Sequence, residues 1–387
     1  MKIFSKCELD NHSVPNRFVS QPMEGNDGVN GGKPSDRTLN RYKELARGKW
    51  GVVIVEAISV TDKSLARKNG LILNERNLDD FKNLVNEFKK INNEAILLFQ
   101  ISHSGMKSGA FSEQVTVCPG QSANYKYLST DEIEEIRHQF VNSALLAEKA
   151  GADGIDFKMC HGYFGAEILR PMNTRNDKWG GSFENRTRFL TESIPEIKSK
   201  LNNKDFILGS RISIFEAIRG GCGTAAPDEL IEDLSEPTRI IKLMASLGMH
   251  YVNVSAGIPG VTSEVTRPTN GSRNLFLNHF RYAKFAKDIL KGIKSNMKVI
   301  GSAYSILKEE AVSFAEENLT KGYTDFVGFG RMSFADPLYP VKVFNNEKIN
   351  YCVACSGCSK LMIKQLNTGC IIYDKYYKEL LATSTVN

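Results

Sequence analysis

Apolar, β-branched residues gather along the chain in short runs, and each run is trailed by a longer stretch with helical spacing. The runs are Phe18–Pro22, Val52–Val60, Ala95–Ile101, Gly154–Phe157, Phe206–Ile212, Tyr251–Val254, Val299–Ser302 and Phe326–Phe329. Typical helical partners are Asp131–Ala150, with Ser129 and Thr130 near its start and Gly151 just past its end, and Asn185–Lys200. Eight strand–helix units predict an α/β chain folded as a (β/α)8 TIM barrel of parallel strands. A doubly wound open sheet would use the same units, but the chain has no early Gly-x-Gly-x-x-Gly turn to open one. The connection between the fourth and fifth strands is long and polar, and its first part falls on the barrel's C-terminal rim, where such folds do chemistry. The pattern stops near Asn345. Residues 1–344 are therefore read as the barrel, and 345–387 as a cysteine-rich extension with a short helix-like tail, Asp374–Ala382.

Composition narrows the class. With 387 residues, 41% of them hydrophobic, and 31 glycines, the chain can bury one large α/β core or two ordinary ones. The net charge of +6 is mild, and its lysines and arginines are spread rather than striped, so no nucleic-acid partner is expected. Sites for anionic ligands account for the basic balance better. The segment Met1–Asp10 lacks the apolar core of a signal peptide, and no run approaches the roughly 18 apolar residues of a membrane span. Cys7, Cys118, Cys160 and Cys222 are scattered without a pairing pattern, which fits a reducing cytoplasm.

The other four cysteines are not scattered. Cys352, Cys355 and Cys358 stand at two-residue gaps, and Cys370 follows after eleven intervening residues. Three thiolates so spaced can wrap one face of a 4Fe–4S cubane while the fourth closes it. Zinc is the main competitor, but its structural sites usually draw ligands from two separated Cys-x-x-Cys pairs; loose structural thiols are the remaining alternative.

Several short segments then converge: Asn16-Arg-Phe-Val-Ser-Gln-Pro-Met23, Gln100-Ile-Ser-His103-Ser-Gly105, Ala150-Gly-Ala-Asp-Gly154 leading into His161-Gly-Tyr163, Asp177-Lys-Trp-Gly-Gly-Ser-Phe-Glu-Asn-Arg186-Thr-Arg188-Phe, and Gly328-Phe-Gly-Arg331. Together they resemble the Old Yellow Enzyme family of FMN-dependent oxidoreductases over roughly Lys2 to Pro340. The cysteine segment resembles the iron–sulfur branch that contains 2,4-dienoyl-CoA reductase, bile-acid-forming enoate reductases and trimethylamine dehydrogenase.

The resemblance implies FMN, a 4Fe–4S cluster, and a small-molecule substrate. A flavin needs donors at its pyrimidine edge and at N1, where reduction places negative charge. Gln100 would bond the pyrimidine ring, and Arg211 would neutralise the reduced N1–O2 edge, a rim salt bridge being its plainer reading. Gly301, Ser302 and Ala303, with Gly328, Gly330 and Arg331, would hold the phosphate; without the family these glycines would be only tight turns. Pro22 and Met23 would lie along the ring, and Ala57 would let the flavin edge approach.

Two positions depart from the family pattern. The usual donor pair after the fourth strand, His then His or Asn, is here Lys158 and His161, while Tyr163 matches the tyrosine that gives a proton to the alkene carbon. Glu24 follows Pro22-Met23 where threonine, cysteine or histidine is usual. A carboxylate there lowers the potential of a reduced flavin unless it is protonated or turned toward Lys158 or another cation. The expected activity is reduction of an activated C=C bond. The alternatives are dehydrogenation or demethylation of an amine, and a flavin redox sensor with little turnover. The multidomain relatives carry flavodoxin-like and nucleotide-binding halves beyond the cluster that this sequence does not include, so NAD(P)H or a separate electron-donor protein is expected to reduce it; a homo-oligomer is compatible with all of this.

Overall fold

The computed structural model describes residues 1–384. The eight expected strands form as β1 (Phe18–Ser20), β2 (Val52–Ser59), β3 (Ile96–Ser102), β4 (Gly154–Met159), β5 (Ile207–Ser213), β6 (Tyr251–Ser255), β7 (Lys298–Gly301) and β8 (Phe326–Phe329). Each pairs in parallel with its sequence neighbour, and β8 returns to β1 with Val327 opposite Phe18, so the sheet closes into a barrel with no free edge. Helices α1 (Asp36–Arg47), α2 (Leu78–Ile91), α3 (Thr130–Lys149), α4 (Phe183–Lys200), α5 (Ser235–Ser246), α6 (Phe276–Gly292), α7 (Ala311–Thr320) and α8 (Tyr339–Asn345) follow the strands in turn.

Helix boundaries follow local chemistry. Ser129 accepts a hydrogen bond from Glu132 N while the Glu132 side chain reaches back to Ser129 N, a reciprocal cap that starts α3. Ile133, Ile136, Phe140, Ala144 and Ala147 then fall on one buried face, and Gly151, at φ +86°, supplies the left-handed turn after the end. Helix α4 begins two residues before Asn185 because the Ser182 side chain caps Asn185 N.

A small hairpin before the first barrel strand was absent from the expected pattern. Cys7–Leu9 and His12–Val14 form a small antiparallel hairpin. Its Leu9 and Val14 pack with Val19, Val52, Ile54, Leu98 and Phe326, residues near the beginnings of the barrel strands. The lower interior of the barrel is thereby filled with apolar side chains. Polar side chains such as Gln100, Asp156 and Arg211 come later in their strands, toward the other end.

The cysteine segment carries α9 (Gly357–Ile363) and α10 (Lys375–Thr383), the second close to the expected tail helix and capped by Asp374. The segment is tied to the barrel rim: Thr368 N donates to Gly25 O at 2.6 Å, Asn26 Nδ2 to Leu366 O at 3.0 Å, and Lys68 N to Gln365 Oε1 at 3.0 Å. Among the described residues no helix is long and apolar enough to cross a membrane.

Candidate active site

The C-terminal ends of the strands surround a cavity of about 340 Å³. Pro22, Met23 and Glu24 after β1, Gln100 on β3, Lys158, His161 and Tyr163 from β4 onward, Arg211 on β5, Ser302 and Ala303 after β7, and Gly328, Gly330 and Arg331 at β8 all line it. The cysteine segment contributes the far wall through Cys358 and Met362.

A polar network supports the floor. Gln21 and Asn253 exchange two hydrogen bonds at 2.8 Å, and Gln100 Nε2 and Tyr251 Oη donate to the two oxygens of Asp156 at 2.8 and 3.0 Å. The Gln100 amide is thus oriented from behind. Arg211 Nη2 reaches Ser255 Oγ at 3.5 Å, its Nε is buried without a hydrogen-bond partner, and it makes no ion pair among the described residues. Burial pulls its pKa below the ordinary arginine value, with Cys160 and Asp156 opposing that shift. The salt-bridge alternative is not what the fold builds. Arg211 thus lines the cavity as a cation with no carboxylate partner among the described residues, which suits an electron-rich edge of a ligand.

Of the residues expected at the phosphate, Ser302, Ala303, Gly328, Gly330 and Arg331 line the cavity and Gly301 does not. Gly301 N donates to Thr324 Oγ1 at 2.9 Å and does not front the cavity, because Thr324 already satisfies it. Ala303 does front it, at φ +74°. A Cβ on Gly328 would meet Gln21 Nε2 at 2.1 Å and Gly301 O at 2.7 Å, and one on Gly330 would come within 3.2 Å of Met23 Sδ. Ala57 also departs from expectation. It lies where the β2–β3 register shifts between Val55 and Ile58, and it lines a small recess beside Glu24 and Arg67, not the main cavity.

Glu24 is the centre of a charged cluster. Its Oε2 lies 2.6 Å from Arg67 Nε, its Oε1 lies 3.7 Å from Lys158 Nζ, and Tyr163 Oη donates to Oε1 at 2.7 Å. Burial would raise its pKa, but Arg67, Lys158 and the Tyr163 hydrogen bond together hold it below the usual carboxylate value. Of the two readings left open for Glu24, the turn toward cations is the one the fold adopts. Lys158, buried and 3.3 Å from the Tyr163 ring centre, has its pKa lowered by burial. Burial and the Glu24 charge push the Tyr163 phenol well above 10. His161 adopts φ +65°, and one ring nitrogen sits 2.7 Å from Ser255 Oγ; burial and Arg211 hold it neutral.

The long string from Asp177 to Arg188 stays out of the cavity and braces the rim. Trp179 is fully buried, Asn185 Nδ2 bonds the carbonyls of Asp177 and Gly180 at 3.1 Å, and Arg186 pairs with Glu236. Sequence reasoning missed Arg67, Lys107 and Arg267, which also line the cavity. They come from polar loops with no periodicity to mark them.

The four cysteines share one neighbourhood. Burial raises Cys352 and Cys370, backbone N–H groups of Ala354 and of Ile372 and Tyr373 lower them in part, and the charges of Cys358 with Cys370, and of Cys355 with Cys358, reach them respectively. N–H donors aimed at thiolate sulfur suit iron–sulfur ligation. Among the described residues no three His, Cys, Asp or Glu side chains converge on a single-ion site.

Comparison with known proteins places this architecture. Residues 2–350 match the model of the NADH:flavin oxidoreductase / NADH oxidase family. The chain belongs to this family. It is 30% identical over 374 residues to the NADH oxidase of Thermoanaerobacter brockii, covering 92% of this chain and 53% of that one. It is 30% identical over 357 residues to the NADPH dehydrogenase of Clostridium acetobutylicum, covering 90% and 96%. Among solved structures, a 2-naphthoyl-CoA reductase in complex with 2-naphthoyl-CoA superposes with a TM-score of 0.80 at 22% identity, covering 98% of this chain and 58% of the other. The chain thus spans about half the length of some relatives and nearly all of others.

Proposed function

We propose that this chain binds FMN in the cavity and a 4Fe–4S cluster on Cys352, Cys355, Cys358 and Cys370, and that it reduces an activated C=C bond of an enone, enoate or enoyl substrate. Arg211, a cation on the cavity wall that makes no ion pair among the described residues, is the observation that carries the reading. In that reading Gln100 and Arg211 hold the polar edge of the ring system, Pro22 and Met23 pack along it, and Ser302, Ala303, Gly328, Gly330 and Arg331 hold the phosphate. Bound FMN supplies hydride chemistry. Residues 1–344 act as the flavin barrel and 345–387 as the cluster-bearing extension, clamped to its rim.

The chain's own residues then prepare the substrate. Lys158 and His161 face the cavity as the pair that grips an electron-withdrawing oxygen, Lys158 as a cation and His161 as a neutral imidazole. Tyr163 holds the proton for the carbon at its Oη. Amine oxidation is the weaker reading, because the cavity wall carries Arg67, Lys107, Lys158, Arg211, Arg267 and Arg331 against the one carboxylate of Glu24. Such a field repels an alkylammonium ion and attracts an electron-poor or anionic alkene. NAD(P)H, or a separate electron-donor protein acting through the cluster, restores the reducing equivalents.

Anaerobic purification with absorption spectra and metal analysis tests the cofactors: about one FMN and about four irons per chain are expected. Stoichiometric zinc without iron removes the cluster, and protein without flavin removes the whole reading. Dithionite-reduced enzyme should be reoxidised by cinnamate or an enone, and the oxidised enzyme should not be reduced by dimethylamine.

A further inference from the structure

The ion pair of Glu24 with Arg67 joins the loop after β1 to the loop after β2. The stretch of chain between Cys358 and Cys370 grips both loops. Thr368 N and Leu366 O bond Gly25 and Asn26, the two residues after Glu24. Gln365 brackets Arg67: its Nε2 donates to Ala66 O at 3.3 Å, and its Oε1 accepts from Lys68 N at 3.0 Å.

One side-chain amide thus spans the backbone on both sides of the arginine. It can do so because an amide donates and accepts at once, which is what a carbonyl and an N–H flanking one residue require. The loop's other anchors lie further out, at Leu65 O, which accepts from Gly109 N, and at Asn69 N, which donates to Asn26 Oδ1. Gln365 itself follows α9 at φ +57°, and its N–H closes on Met362 O at 3.1 Å. Such a left-handed turn at a helix end favours glycine or asparagine, so the turn does not account for the glutamine. Arg67 is the leading charge that offsets burial and keeps Glu24 ionised, and Glu24 accepts the hydrogen bond of Tyr163.

We propose that Gln365 is a positioning residue: by clasping the loop on either side of Arg67 it holds that guanidinium against Glu24, and so fixes the carboxylate that orients the Tyr163 phenol. The loop that joins two of the extension's cysteines thereby reaches the proton-donating end of the cavity. The inference rests on the proposed function only in taking Tyr163 as the proton donor.

The test uses the purified full chain labelled with 3-fluorotyrosine, the Tyr163 resonance being assigned by its absence from Tyr163→Phe. The charged and titratable groups that face Glu24 are Arg67, Lys158 and Tyr163, with Glu56 also in reach, and protonation of Glu24 changes the fluorine shift of the phenol bonded to it. In the parent that acid inflection should fall below pH 4.5. Gln365→Met keeps the length of the side chain and removes both hydrogen bonds, so the inflection should rise by about one unit or more as Arg67 leaves the carboxylate. The alkene half-reaction should slow about tenfold, with substrate affinity little changed. Gln365→Asn suits the left-handed turn better but is one methylene short of both partners; it serves where Gln365→Met does not fold, and should move the inflection the same way. Asn367→Ala removes a hydrogen bond to Tyr376 in the same stretch and should leave the inflection in place. An inflection unmoved by the Gln365 variant, or moved as far by Asn367→Ala, refutes the positioning. An inflection that moves while alkene reduction keeps its parent rate upholds the positioning and sinks Tyr163 as the acid of the proposed reaction.

Discussion

Tyr163 gives its phenolic hydrogen to Glu24 across 2.7 Å, while Lys158 Nζ lies 3.3 Å from the centre of the same ring. The phenol is thus tethered to an anion and overlain by a cation. The anion opposes formation of a tyrosinate, and the cation favours it.

Glu24→Gln separates these effects. Losing the carboxylate lowers the Tyr163 pKa, so the basic limb of the pH profile for alkene reduction should move to lower pH. Arg67 and Lys158 would be left without their counter-ion, and folding stability should fall by roughly 3 kcal/mol, read by urea denaturation. A profile that stays in place would show that Tyr163 does not supply the proton.

Tyr163→Phe removes the acid and leaves the gripping pair intact. General acid catalysis is worth about 10²–10⁴-fold, so reoxidation of the reduced enzyme by its alkene should slow by that factor, with substrate affinity little changed. Stopped-flow traces of the two half-reactions make the check, since reduction by the donor should keep the parent rate.

Arg211→Gln deletes the unpaired guanidinium. The purified variant should hold less FMN, and whatever remains should show a more negative midpoint potential, measurable by spectroelectrochemistry. Parent-like flavin content and potential would return Arg211 to a purely architectural role.

Cys355→Ser addresses the extension. Iron should be lost while much of the flavin stays, because Cys355 is exposed and away from the cavity lining. Loss of both together would mean the cysteine segment is needed to shape the flavin site itself.

Acid should destabilise the fold before most of its carboxylates titrate. Burial lowers His103 to about 3 and His279 to about 4, and His161 also falls well below 6.5. Below pH 6.5 the unfolded chain takes up protons that the folded chain refuses. Each such histidine removes up to about 1.4 kcal/mol per pH unit between 6.5 and its folded value. Glu56, pushed up to about 7 mainly by burial, works the other way by binding one proton in the folded state. Burial also raises Asp156 and Glu167, in Glu56's direction, but His103, His161, His250 and His279 are all lowered, so the urea midpoint should drop from pH 7 to pH 5.5; a rise would contradict their buried neutral state.

The barrel was legible because its strands are continuous apolar runs and its helices carry amphipathic spacing and caps, as Ser129 and Gly151 show for α3. The hairpin of Cys7–Leu9 and His12–Val14 was not, since three-residue strands hold too few positions for alternation to register. Lys158, His161 and Tyr163 were singled out because they stand where the resemblance puts the family's donor pair and its tyrosine, and the fold does bring all three to the cavity wall. Arg67 and Arg267 could not, because their positions in the cavity are set by tertiary folding of loops and leave no local trace. Gly301 misled for a related reason: a glycine on a strand end looks like an open turn, and only the fold reveals Thr324 already bonded to its N–H.

The hairpin that fills the barrel's lower interior turns the cavity into a well with a stopped bottom. A molecule cannot pass through such a well; it must back out. Two reactants that both need the same floor have to take turns, the first departing before the second arrives. Parallel lines in double-reciprocal plots would be the kinetic trace of two three-residue strands packed under the barrel.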